Sequence, residues 1–164
     1  MNASQLTLSQ TRLRTRVAAA AIGVAGAGGI LVAGAGAAHA GTVPVTNPSE
    51  PSVAMTITNH TDKTEYLGDS GPNGGQWVQA PQRKLAPGAS ETVVAVAPGQ
   101  TSLTVNVNYH VGLFGPTADY SIENMVGNTN LFNTGVYNNN AVHYMIDANI
   151  ASSFPNANVT YNLA

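Results

Sequence analysis

The stretch Ser102–Val111, SLTVNVNYHV, constrains the fold more than any other part of the chain. Leu103, Val105, Val107, Tyr109 and Val111 alternate with Thr104, Asn106, Asn108 and His110. A period of two puts all the apolar groups on one face of a strand and all the polar groups on the other. Such a strand must bury one face, so the chain needs a second layer to cover it. The same period recurs in Val53, Met55 and Ile57, in Val142, Tyr144, Ile146, Ala148 and Ile150, and in Val159, Tyr161 and Leu163. The β-branched run Ser90–Val96, the short segments 64–67 and 76–80, and Tyr120 with Ile122 add further strands. Asn59–Asp62, Ala86-Pro-Gly88 and Ala97-Pro-Gly99 are turns between them. Residues 125–140 are rich in Asn and Gly and read as irregular, with Leu131, Phe132, Val136 and Tyr137 as apolar anchors. Beyond the N-terminal region no segment sustains a 3.6-residue apolar period. The expected architecture is all-β: a single antiparallel β-sandwich of seven to nine short strands, with a closed barrel as the alternative.

The N-terminus is of another kind. Arg12, Arg14 and Arg16 precede the uncharged run Val17–Val32, and Ala38-His39-Ala40 follows. A positive region, an apolar region and an A-x-A site, in that order, predict a secretory signal peptide over residues 1–40. The arginines are not adjacent, so the general secretory route is expected. A retained anchor is the competing reading, but Ala and Gly insert weakly. Residues 41–52 hold three prolines and form an extended leader, and residues 53–164 form the domain. The Ala-, Gly- and Val-rich signal suggests a bacterium. The chain is expected to be secreted, outside the cell or held at its envelope.

Removing the signal leaves Lys63, Arg83 and Lys84 against eight acids, and three minus eight gives −5. No basic stripe remains for a nucleic-acid backbone or an anionic membrane. The absence of cysteine excludes disulfides, thiolate metal sites and a cysteine nucleophile. The domain must hold together by its core.

Several motifs invite chemical readings. Gly68-Asp69-Ser70-Gly71 reproduces the string around the nucleophile of chymotrypsin-like proteases. A serine nucleophile needs a base and a group that orients it. The only preceding histidine in the exported part is His60, and the chain is too short for two barrels. These residues are turn formers, and a turn is the reading adopted. From Asp69 the loop also imitates the start of a calcium loop, with Asn73 fifth and Gly74 sixth. Gly71 stands third and Ala80 twelfth, where ligands belong. His143 and Asp147 share a strand face but stand roughly 13 Å apart. No metal, cofactor or paired catalytic carboxylate is indicated. Asn59-His-Thr61 and Asn158-Val-Thr160 match glycosylation sequons without being assigned a role.

The Gly-rich loop leads to Trp77, the single tryptophan. Asn- and Tyr-rich loops offer hydrogen-bonding groups and flat apolar faces suited to sugars, lipid headgroups or proteins. Trp77, Asn73 and Tyr66 are the candidate contact residues. Core packing is the competing role for Trp77.

The order M-T-I-T-N-H-T, Leu67, G-G-Q-W-V-Q-A-P and L-A-P-G-A-S across Met55–Ala95 resembles the aegerolysin and bacterial crystal-protein group. The matching positions are Ile57, Asn59, Thr61, Gly75, Trp77, Pro81, Pro87 and Gly88. The resemblance implies a small β-sandwich and binding to membrane lipid, in some members with a pore-forming partner. The chain departs from that group in holding one Trp and in beginning with a signal. The expected function is non-enzymatic surface binding, to membrane lipid or to a host or envelope component. A structural envelope protein and a small extracellular hydrolase are the alternatives.

Overall fold

The computed structural model describes residues 49–138 and 143–164. The expected signal peptide and most of the leader lie outside them, as does the expected strand start at Val142. Among the described residues the chain is all-β. Eleven strands run in order: β1 (Ser52–Asn59), β2 (Glu65–Asn73), β3 (Gln76–Gln79), β4 (Lys84–Leu85), β5 (Ser90–Val96), β6 (Ser102–Val111), β7 (Thr117–Met125), β8 (Asn128–Asn130), β9 (Gly135–Tyr137), β10 (Ile146–Ser152) and β11 (Asn156–Leu163). The count exceeds the expected seven to nine because β4, β8 and β9 are too short to carry an apolar period.

Two sheets pack face to face. One has the order β10-β11-β1-β5-β3; the other has β4-β2-β6-β7-β8, with β9 also paired to β7. All pairings are antiparallel except β1 with β11, which run parallel from Ser52↔Asn156 to Asn59↔Leu163. The parallel pair joins the first strand to the last, so local turns could not have produced it.

The alternation read from the sequence is the burial pattern. On β6 Leu103, Val105, Val107, Tyr109 and Val111 are buried. Facing them are Val53, Met55 and Ile57 of β1 and Ala157, Val159, Tyr161 and Leu163 of β11. Tyr109, Tyr120 and Tyr161 stack edge to face through the core, with centroids 6.3 and 5.5 Å apart. The outer face of the first sheet joins a polar part, where Thr56 bonds Thr92 at 3.1 Å and Thr58 bonds Ser90 at 2.9 Å, to a small apolar cluster of Ala54, Val94 and Val96.

Two carboxyl groups lie inside. Glu65 is fully buried, and the Tyr120 hydroxyl donates to its Oε2 at 2.7 Å while Oε1 has no partner. Glu91 accepts from the Gln82 backbone N–H at 2.8 Å. The Tyr109 hydroxyl sits between the Gln82 carbonyl and Oε1 of Glu91, within bonding distance of both. Burial raises Glu65 from its ordinary 4.5 to about 7, and raises Glu91 in the same direction.

Each end of the sandwich is tied by a buried asparagine. At one end Asn59 donates to the carbonyls of Lys63 and Leu85, and its Oδ1 accepts from Thr61. At the other, Asn124 donates to the carbonyls of Ser52 and Pro155. The Asn59 sequon nitrogen is therefore consumed by the fold.

Candidate functional site

The Gly-rich stretch is a strand for most of its length, which corrects the reading of it as a loop. β2 continues to Asn73 and only then turns. A bulge lies between Leu67↔Tyr109 and Asp69↔Asn108. The extra residue, Gly68, breaks the alternation in the sequence while preserving the faces of the sheet. Glu65 and Leu67 face the core before it. Asp69, Gly71 and Asn73 pair with Asn108, Asn106 and Thr104 on the outer face after it. Pro72 is tolerated because β4 pairs only with Glu65 and Tyr66, leaving the rest of β2 as a sheet edge.

Ser70 pairs with Val107 on the core-facing side, and His110 stands on the outer face. The two point to opposite sides of one sheet. Among the described residues no group of three or more His, Cys, Asp or Glu is placed to hold a metal ion.

The turn delivers Trp77 as the sequence suggested. Gly74 has φ +86°, and a Cβ on Gly75 would lie 2.5 Å from the Val96 carbonyl oxygen. Trp77 then pairs with Ala95 and packs half-buried against the core. Tyr66 lies near the other end of β2, with Lys84 Nζ 5.3 Å from its ring centre. Asn73 is seven residues further along the strand, roughly 20 Å away. Tyr66 therefore lies at one end of β2, and Asn73 and Trp77 flank the turn at the other.

Two surfaces stand out instead. The first is the end of the sandwich where β1, β6 and β11 finish. Here the β6–β7 hairpin presents Gly112-Leu113-Phe114-Gly115-Pro116. Its base is closed by Gly112 N–H donating to the Thr64 carbonyl at 2.8 Å and Val111 N–H to that of Pro116 at 2.9 Å. Gly112 has φ +77°, and a Cβ on Gly115 would fall 1.8 Å from the Val111 oxygen. Phe114 is 100% exposed and Leu113 70%. Met145, 73% exposed, is held at the same end by a pair of backbone bonds with Ala164, next to the pairing of Ile146 with Leu163. The sequence reading passed over this tip as a strand break. Its signal was an apolar pair between two glycines.

The second is a groove of about 330 Å³ on the outer face of the other sheet, lined by Asp69, Gly71, Asn73, Asn106, Ser121 and Phe132 among others. Asn106 Nδ2 lies 2.8 Å from Asp119 Oδ1 and 2.7 Å from Ser121 Oγ, and Ser121 donates to Asp119 at 2.6 Å. Partial burial raises the Asp119 carboxyl, against the lowering effect of those two donors.

No protein-family model matches the chain, and no curated protein matches it in sequence. Among solved structures its fold is similar to that of the lipid binding protein Nakanori. The TM-score is 0.54 at 9% identity, over 70% of this chain and 71% of that one. At that identity the likeness is one of fold.

Proposed function

We propose that the protein is a secreted, non-enzymatic β-sandwich that binds membranes end-on, placing the β6–β7 tip in the bilayer interface. The observation that carries this is the glycine-bracketed pair Leu113–Phe114, held out into solvent by a hydrogen-bonded base. Exposed single apolar residues are ordinary, but a wholly exposed Phe beside an exposed Leu at a hairpin tip is a feature that marks interaction sites. The fold of a lipid binding protein supports the same reading. Tyr66, near this end, suits the headgroup level, where aromatic rings with a polar tip collect.

The magnitudes set the character of the binding. Burying a Leu and a Phe side chain contributes roughly 3–6 kcal/mol before the cost of immobilisation. One copy therefore binds weakly. The tip carries no charge, so attachment to neutral bilayers should depend little on salt.

Co-sedimentation with phosphatidylcholine vesicles tests the proposal. Wild-type protein should pellet with the vesicles, and Phe114→Asp should lower the apparent affinity at least about tenfold, a change of about 1.4 kcal/mol. Equal sedimentation of both proteins, or none by the wild type, would overturn it.

A further inference from the structure

We propose that the groove between β2, β6, β7 and the 131–134 loop is a binding site for a neutral saccharide, separate from the membrane tip. The groove exists because the strand next to β7 is interrupted. β8 pairs with Glu123–Met125 and β9 with Thr117–Asp119, leaving residues 120–122 without a strand partner on that side. Residues 131–134 cross the gap instead. The Thr134 hydroxyl donates to the Ser121 carbonyl at 2.8 Å and accepts from the Ser121 N–H at 3.2 Å, replacing the missing ladder bonds. Tyr137 donates its hydroxyl to the Asn133 carbonyl at 2.9 Å. Asn133 has φ +53°, a region uncommon for residues other than glycine. The loop is thus pinned at both sides, and it holds Phe132 half-exposed at the groove wall.

The lining selects the ligand class. It contains no Lys or Arg, and Asp69 is at its mouth, so phosphate, sulfate and carboxylate ligands are disfavoured. A single aromatic ring is not the cage that quaternary ammonium groups use. What the groove offers is a carboxylate acceptor, the carboxamides of Asn73 and Asn133, the hydroxyl of Thr104 and one ring face. That set fits a ligand with several hydroxyl groups and a flat C–H face, which is a neutral pyranose. The Asn106–Asp119–Ser121 bonds fix the floor before anything binds, so little ordering is needed. The source of the sugar is either a soluble glycan or a glycolipid headgroup. The groove runs along β6 from the level of Asp69, which pairs with Asn108 two residues from His110, to Thr104, so it begins roughly 7 Å from the tip end of the strand and ends roughly 20 Å from it.

The test is amide NMR of the ¹⁵N-labelled protein titrated with glucose, galactose, mannose, N-acetylglucosamine and their short oligomers. A parallel arm uses phosphatidylcholine vesicles with and without glucosylceramide. The expected result is saturable shifts at Asn73, Asn106, Ser121 and Asn133 with at least one saccharide, and none at Leu113 and Phe114. Phe132→Ala and Asn73→Ala should each weaken the response about tenfold or more while the rest of the spectrum is unchanged. Enhanced vesicle binding with glucosylceramide, lost in Phe132→Ala but kept in a free-sugar-insensitive wild type, would support the site with a lipid-borne sugar. Shifts elsewhere, a groove that responds to phosphocholine and to no sugar, or folded variants that bind as well as wild type would each overturn it. So would silence from every saccharide, free or vesicle-borne. Because Phe114→Asp leaves the groove intact, failure of this proposal and failure of membrane attachment are separately visible.

Discussion

Glu65 is a carboxyl that the fold buries without a cation. Its one bond comes from Tyr120, and its second oxygen meets nothing. A raised folded pKa means that the stabilising state is the protonated one. Its contribution is fully present below about 4.5 and is lost as pH rises through about 7. A shift of that size has a ceiling of about 3 kcal/mol. Glu91, shifted the same way, adds in the same direction. Urea unfolding at pH 5 and pH 8 should therefore show wild-type stability falling with pH. In Glu65→Gln the fall should be smaller, with the remainder due to Glu91. A wild-type stability that rises over that interval, or an unchanged profile in the variant, would refute the assignment.

At the scale of the element, the β6–β7 hairpin separates what holds the tip from what the tip presents. Gly115 has no room for a side chain: its Cβ would sit 1.8 Å from the Val111 oxygen. Gly115→Ala should cost about 1–3 kcal/mol, measured as a lowered melting temperature. Phe114 touches little and is wholly exposed. Phe114→Asp should stay within about 0.5 kcal/mol of wild type. If Phe114→Asp proved strongly destabilising, the tip would be packed in solution and not presented. β2 makes the same distinction in another way. Its bulge at Gly68 lets one strand send Glu65 into the core and Asp69 into the groove.

The molecule as a whole places its hairpin tip and its tryptophan at opposite ends. Trp77 pairs with Ala95, next to the β5–β6 turn, whereas the tip lies past Val111 at the far end of β6. Vesicle binding should therefore leave the emission of Trp77 unshifted even where sedimentation is complete. Moving the reporter, in the double variant Trp77→Phe with Phe114→Trp, should give a blue shift on the same vesicles. A shift of Trp77 in the wild type, with none in the moved reporter, would place the membrane contact at the opposite end.

The strands that have one buried face are legible in the order of the amino acids. Ser102–Val111 and the alternation Val159, Tyr161, Leu163 could be read directly, because a period of two has one solution for which side meets the core. The amino-acid order also indicated that Gly74-Gly75 serves a turn, since only glycine fits there. Tertiary structure alone decided the rest. The bulge at Gly68 hides the continuation of β2 from Asp69 to Asn73, because one extra residue cancels the alternation that identifies a strand. The three-residue strands β8 and β9 carry no period and are held by β7 and not by their own composition. The groove joins Asp69 to Phe132 across three elements, and the pairing of β1 with β11 spans the whole domain. Contacts at such separations follow from how two layers close on each other, and no local pattern records that.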